Sequence, residues 1–281
     1  MLGAIVGDIA GSRFEFNNRR SKDFNLFAEG CFPTDDSIMT IAAAKAIMET
    51  EKAASSSEHC LDNNYHTILA GFTVRYMRAI GRKYPDCGFG SMFYKWIFSK
   101  APTPYNSFGN GAAMRISPVG FIARSHRDLI RLAETVTAVT HNHPEGIKGA
   151  TAAAEAIYMA RNGALKPEIR EHITRGYYPL DFKIDDIRPS FRFDETCRQT
   201  VPQAIECFLE SGSFEDAIRI AISLGGGSDT ITSITGAIAE AYYGVPQDIA
   251  EKALSYLDGE LRAIYYEWTA FSAPPGAVLK S

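Results

Sequence analysis

Three glycines set four residues apart near the start of the chain, Gly3, Gly7 and Gly11, constrain the fold more than any other feature. They lie in LGAIVGDIAGS, where Leu2, Ile5, Val6 and Ile9 repeat at helical spacing on a different face. A glycine inside a helix costs about 1 kcal/mol relative to alanine. Three at this period therefore predict that the backbone of another element lies against the stripe. Asp8, Ser12 and Glu15 follow at helical spacings near the helix end, and taken alone they read as a solvated polar face.

The rest of the chain is helical in pattern. No run alternates with period two, so the expected class is all-α, a single domain over residues 1–281 without linker or repeat. Helices are expected at Tyr65 to Ile80, Ser91 to Phe98, Leu129 to Val139, Val201 to Ser211 and Phe214 to Leu224, from near Ser228 to Gly244, and at Pro246 to Glu267. Ser55 to Asn64 reads as a loop, and Gly163 to Phe193 as an irregular charged segment. A hydrophobic fraction of 46% in 281 residues suffices for a large core. The net charge of -4 offers no basic face and argues against nucleic acid as the main partner. Cys31, Cys60, Cys87, Cys197 and Cys207 form no CxxC pair, as expected of reduced packing residues in a cytoplasmic protein. Asp8 interrupts the apolar start, which is not that of a signal peptide, and no apolar run is long enough for a membrane span.

Four short stretches carry chemistry. Thr34, Asp35 and Asp36 directly precede a helix rich in Ile, Ala and Met; they suit an N-terminal capping cluster, and equally an all-oxygen ligand set for Mg2+ or Mn2+. Asp229 and Thr230 form a second such set after Gly225, Gly226 and Gly227, where a capped core helix is the plainer reading. In SFGNGAAMR, Gly109 and Gly111 flank Asn110 before a short helix; this is a tight turn or a cradle of backbone N–H groups for phosphate. His141 and His143 stand one residue apart, as loop caps or as groups brought into a cleft.

Set side by side, GDIAGSRFEF, PTDDS, SFGNGAAMR, THNHPEGIKGA, TVPQAI and GGGSDT resemble the ADP-ribosylglycohydrolase family in order and across nearly the whole chain. The resemblance implies a single-domain orthogonal helical bundle and a metal-dependent hydrolase with two Mg2+ or Mn2+ ions, cleaving the bond between ADP-ribose and an acceptor such as a modified protein side chain. It implies metal ligation by Thr34, Asp35, Asp36, Asp229 and Thr230, and catalysis by Glu15 and Asp36. Substrate binding would fall to Ser107, Phe108, Gly109, Asn110, Gly111 and His141. The protein is expected to work as a monomer. One position departs from the pattern: the family reads GGDTDT or GGDSDT, and Gly227 replaces its first aspartate. One cation thereby loses a charged ligand, which leaves open an alternative, a catalytically impaired ADP-ribose-binding protein.

Overall fold

The computed structural model describes residues 1–54 and 63–273, so most of the loop expected at 55–64, and Cys60 with it, lies outside the described residues. The first half of the chain forms α1 (Leu2–Ser12), α2 (Asp35–Ala53), α3 (Asn63–Gly81), α4 (Ser91–Phe98), α5 (Gly111–Met114), α6 (Ser117–Ile122) and α7 (His126–Ala138). The second half forms α8 (Pro144–Arg161), α9 (Lys166–Gly176), α10 (Ile184–Ile187), α11 (Cys197–Glu210), α12 (Phe214–Leu224), α13 (Ser228–Tyr243), α14 (Gln247–Leu254) and α15 (Gly259–Ser272). Among the described residues there is no strand, only a single antiparallel bridge between Gly109 and Thr196. The all-α class holds.

The glycine stripe does what its spacing predicts. A Cβ on Gly3 would collide with the carbonyl oxygen of Gly236, one on Gly7 with that of Thr232, and one on Gly11 with that of Ser228. Residues 228, 232 and 236 are themselves four apart, so α1 and α13 mesh as two stripes running antiparallel, backbone against backbone. At the far end the next residue of that series, Glu240, accepts a hydrogen bond from the Gly3 amide at 2.8 Å and satisfies an otherwise orphaned helix N-terminus.

α13 is the centre of the bundle, packed on α1, α8, α11 and α12, with Ile231, Ile234 and Ile238 buried. α2 packs against α1, α3 and α15, and its buried residues, Ile38, Ile41, Met48 and a run of alanines among them, cover most of its circumference. Cys31, Cys87, Cys197 and Cys207 are buried free thiols. Among the described residues no helix is long and apolar enough to cross a membrane.

Two expectations need correction. The segment 163–193 contains α9 and α10; α9 buries only Ile169 and Ile173, and one such pair gives a period too faint to read as a helix. The long helix expected from Pro246 to Glu267 is two helices, because the Asp258 carboxylate caps a new one by accepting from the amides of Glu260 and Leu261 at 2.9 Å each.

Candidate active site

The antiparallel register of α1 and α13 sets the C-terminal end of α1 on the N-terminal end of α13, and the start of α2 closes the same corner. Thr34 is the N-cap of α2, its hydroxyl accepting from the Asp36 amide at 3.3 Å. From α13, the Thr230 hydroxyl donates to Asp36 Oδ2 at 3.1 Å, so the two oxygen-rich helix starts converge although 194 residues separate them. Asp229 is turned inward, one of its oxygens accepting from the Thr230 amide at 2.8 Å.

Asp8 joins them, and here the expected solvated face fails. The Asp8 carboxylate is fully buried; Oδ2 accepts from the amides of Thr34 and Ser37 at 2.9 and 3.0 Å, and Oδ1 from the Thr34 hydroxyl at 2.5 Å. Ser12 is also buried, its hydroxyl accepting from the Phe32 amide at 3.1 Å. Helical spacing alone cannot tell which polar stripe meets solvent and which meets a second helix start. Asp8 therefore anchors the cap of α2, and one oxygen from each of Asp8, Asp36 and Asp229 lies within 4.8 Å of the others.

Crowding and burial set the electrostatics. Burial pushes the Asp8 carboxyl up to about 7, against the hydrogen bonds from Ser37 and Thr34. Burial likewise pushes Asp229 up to about 6. Asp35 and Asp36 are raised by burial and then by the charges of Asp229 and Asp8. Glu15, half-buried just beyond α1, is raised to about 7 by burial and by Asp229, Asp8 and Glu195. Asp36 Oδ1 is buried with no hydrogen-bond partner. A cluster of like charges with an orphaned buried oxygen is costly alone and fits a divalent cation, and the all-oxygen donors suit a hard one.

The triple glycine is held by a residue that the sequence does not advertise. Asn18 accepts from the Gly226 amide at 2.9 Å and donates to its carbonyl at 3.1 Å, while also donating to the Glu15 carbonyl at 3.0 Å. Gly225 and Gly226 have φ of 75° and 76°, a region that favours glycine, whereas Gly227 has φ of -73° and ψ of 82°. A Cβ at position 227 would lie 3.8 Å from Asp229 Oδ1 and 3.3 Å from the Phe193 ring. The position of the missing family aspartate thus faces the acid cluster, with an aromatic ring beside it.

The opposite wall of the cleft is built from loops. Phe108 and Asn110 pair with residues 195–197 through Asn110 N–H to the Glu195 carbonyl at 2.6 Å and Cys197 N–H to the Phe108 carbonyl at 3.0 Å. The Gly109 amide donates to the Ser107 hydroxyl at 3.1 Å. Two of the five amides from Ser107 to Gly111 are therefore spent internally, so this loop is less a cradle of free N–H groups than its sequence suggests. His141 is buried beside Gly109 and Gly111, while His143 caps α8 by accepting from the Glu145 amide at 3.0 Å. Burial and then Arg115 hold His141 well below its ordinary value, so it is neutral. Arg115 donates to the Thr140 hydroxyl at 2.5 Å, and that hydroxyl lies 2.8 Å from His141 Nδ1. Arg115 Nη2 also lies 3.5 Å from Nδ1, and an arginine can only donate, so Nδ1 is the accepting nitrogen and the His141 hydrogen resides on Nε2, the atom nearest the two glycines. Arg115 itself is fully buried, with Nε and Nη1 unpartnered and its charge over the Phe93 ring.

Glu15, Asp35, Asp36, Ser107, Gly109, Asn110, Gly111, His141, Asp229 and Thr230 all line this one cleft. Phe108 is not among the lining residues; its ring is 48% exposed and packs against His143. Thr34 lies beneath, engaged by Asp8. Sequence reasoning missed Asp8, Asn18, Arg115 and Phe193; only Asp8 left a trace, as a polar residue one position from a glycine of the packed stripe.

The chain is 27% identical to the ADP-ribosylhydrolase ARH3 of Xenopus tropicalis, over 92% of this chain and 91% of that protein. It is 26% identical to the ADP-ribosylarginine hydrolase Tri1 of Pseudomonas putida (strain GB-1), over 90% and 72% respectively. A solved structure titled ADP-ribosylglycohydrolase-related protein complex shares the fold, with a TM-score of 0.65, 22% identity and 97% of both chains covered. The profile of the ADP-ribosylglycohydrolase family matches residues 1–270. A match running from the glycine stripe into α15, rather than over one motif, means that the chain belongs to the ADP-ribosylglycohydrolase family.

Proposed function

We propose that the protein hydrolyses the glycosidic bond between ADP-ribose and an acceptor group, with Mg2+ or Mn2+ as cofactor. Family membership supports the ADP-ribosyl hydrolase activity. The observation that carries the metal dependence is the buried cluster of Asp8, Asp36 and Asp229 with the unpartnered Oδ1 of Asp36. Asp36, Asp229 and Thr230 would hold one cation, with Asp35 and Thr34 contributing from the α2 start. A second cation would have a thinner shell, since Gly227 offers no side chain. The cation supplies Lewis acidity that orients ribose hydroxyls and activates water.

The chain's own residues do the rest. Cleavage develops positive charge at the anomeric carbon, so the surrounding carboxylates stabilise it. Glu15 titrates near neutrality, which lets it take a proton from the attacking water and return one to the leaving acceptor. Neutral His141 donates from Nε2 toward the ligand beside Gly109 and Gly111. Buried Arg115 supplies positive charge under the wall where Ser107 to Gly111 would seat the diphosphate. On this reading residues 1–281 form one domain that works as a monomer in the cytoplasm.

The test is turnover of ADP-ribosyl-arginine and ADP-ribosyl-serine peptides with Mn2+, with EDTA, and in Asp36→Ala. Turnover is expected with Mn2+ alone, and a loss of more than about 100-fold in the other two arms. Full turnover in EDTA would overturn the metal dependence. ADP-ribose binding with no turnover in any arm would favour the binding-protein reading that Gly227 suggests.

A further inference from the structure

A second cluster lies outside the cleft and takes no part in the chemistry above. His126 is the first residue of α7, Glu155 lies within α8, and His172 lies within α9. One potential ligand atom from each lies within 4.8 Å of the other two. His126 Nδ1 is 2.7 Å from Glu155 Oε1, and His172 Nε2 is 3.4 Å from Oε2. The Glu155 side chain is 1% exposed. Yet Glu155 Oε1 and His172 Nε2 are buried without a hydrogen-bond partner, so the three groups approach one another without the alignment of ordinary hydrogen bonds. A buried carboxylate held only by poorly aligned contacts is costly, and two imidazole nitrogens beside one carboxylate suggest what relieves the cost.

We propose that His126, Glu155 and His172 form a binding site for a borderline divalent cation of the Zn2+ type, which fastens α9 to α7 and α8. Two imidazoles and a carboxylate are a donor set that Zn2+ accepts, with a fourth position left for water. Bonds of about 2 Å place tetrahedral ligands roughly 3.4 Å apart; the His126–Glu155 pair at 2.7 Å would open slightly around an ion, and the widest pair, within 4.8 Å, would close. His126 is 54% exposed, which gives the ion a path in and the fourth position a solvent molecule. The site also has something to stabilise. α9 reaches the core through Ile169 and Ile173 alone among its buried residues. The donor set differs from the cleft's, since Mg2+ prefers oxygen, so the two sites can be separated by the cation used.

The experiment is Zn2+ titration by calorimetry in a large excess of Mg2+, which occupies the oxygen cluster, using the full chain and the double variant His126→Ala/His172→Ala. The wild type is expected to bind one Zn2+ with a rise in melting temperature. The double variant should bind it roughly 100-fold more weakly or worse and lose that rise. Co2+ absorption in the visible region gives a second readout that a merely structural histidine would not move, and Glu155→Gln should abolish its tetrahedral band. Circular dichroism and Mg2+-supported hydrolysis check that the double variant is folded and its cleft intact. No Zn2+ binding to the wild type, or equal binding to a folded double variant, would overturn the proposal.

Discussion

The two walls of the cleft are built on opposite principles. One is made of α1, α2 and α13, locked by backbone contact and lined with buried acids whose pKa values are pushed upward. The other is made of loops, Ser107 to Gly111 against residues 193–197, joined by two backbone hydrogen bonds and carrying exposed Phe108 and Phe193. The rigid wall concentrates charge where charge must be fixed, and the loop wall supplies shape. On the proposed function, the chemistry would therefore depend on core packing, while recognition could vary at little cost to the fold.

The sharpest test of that division is Gly7→Val. Its side chain would run into the backbone at Thr232, so it should cost about 3 kcal/mol or more in urea unfolding. A loss under about 1 kcal/mol would show that the helical wall yields as readily as the loops.

Next in size is the pH dependence of the metal-free protein. Unfolded Asp and Glu titrate near 3.8 and 4.5, while folded Asp229 lies at about 6 and Asp8 and Glu15 at about 7. Between these values the folded state holds protons that the unfolded state releases. The associated stability is fully present below about pH 4 and is lost as pH rises through 7. In EDTA the melting temperature should fall over that window, and Mg2+ should flatten the fall. A profile that rises with pH in EDTA would mean that the acids are not crowded.

On the loop wall, Gly109→Val should leave stability within about 1 kcal/mol but weaken ADP-ribose binding roughly 10-fold by calorimetry. Its Cβ lies 3.2 Å from Ser107 Oγ and 3.7 Å from His141 Nε2, inside the expected binding surface. Unchanged affinity would move the ligand off this wall.

The smallest effect is expected where the walls meet. Position 227 belongs to the helical wall, yet its neighbour at 3.3 Å is Phe193 from the loops. With φ at -73° and ψ at 82° position 227 lies near the inverse γ-turn region rather than in the left-handed region that favours glycine, so its backbone is open to an aspartate. Gly227→Asp should raise turnover a few-fold at limiting Mn2+ if the Phe193 ring swings aside. No change, with Gly227→Asp/Phe193→Ala gaining instead, would show that the ring governs the site.

What could be read from the sequence follows the same division. The stripe Gly3, Gly7, Gly11 was legible because nothing but a backbone neighbour justifies it, and Thr34 to Asp36 and Asp229 to Thr230 because their residue types suit both a cap and a cation. Asp8 was not legible, since its burial depends on the start of α2, 26 residues away, folding back onto α1. Nor was Asn18, whose side-chain amide serves the Gly226 backbone across 208 residues. α9 escaped because two buried isoleucines make no stripe.

One consequence follows from the repeating stripes of α1 and α13. Teeth of equal pitch can engage one notch out of place: a slide of four residues, about 6 Å, would still set small residues against backbone. It would also carry Asp8 away from Thr34 and dissolve the acid corner. The Gly3 amide on Glu240 prevents this, a dowel at the opposite end of the helix from the cleft. On the proposed function, a carboxylate at the far end of α1 from the cleft would thus help to hold the reacting groups in line.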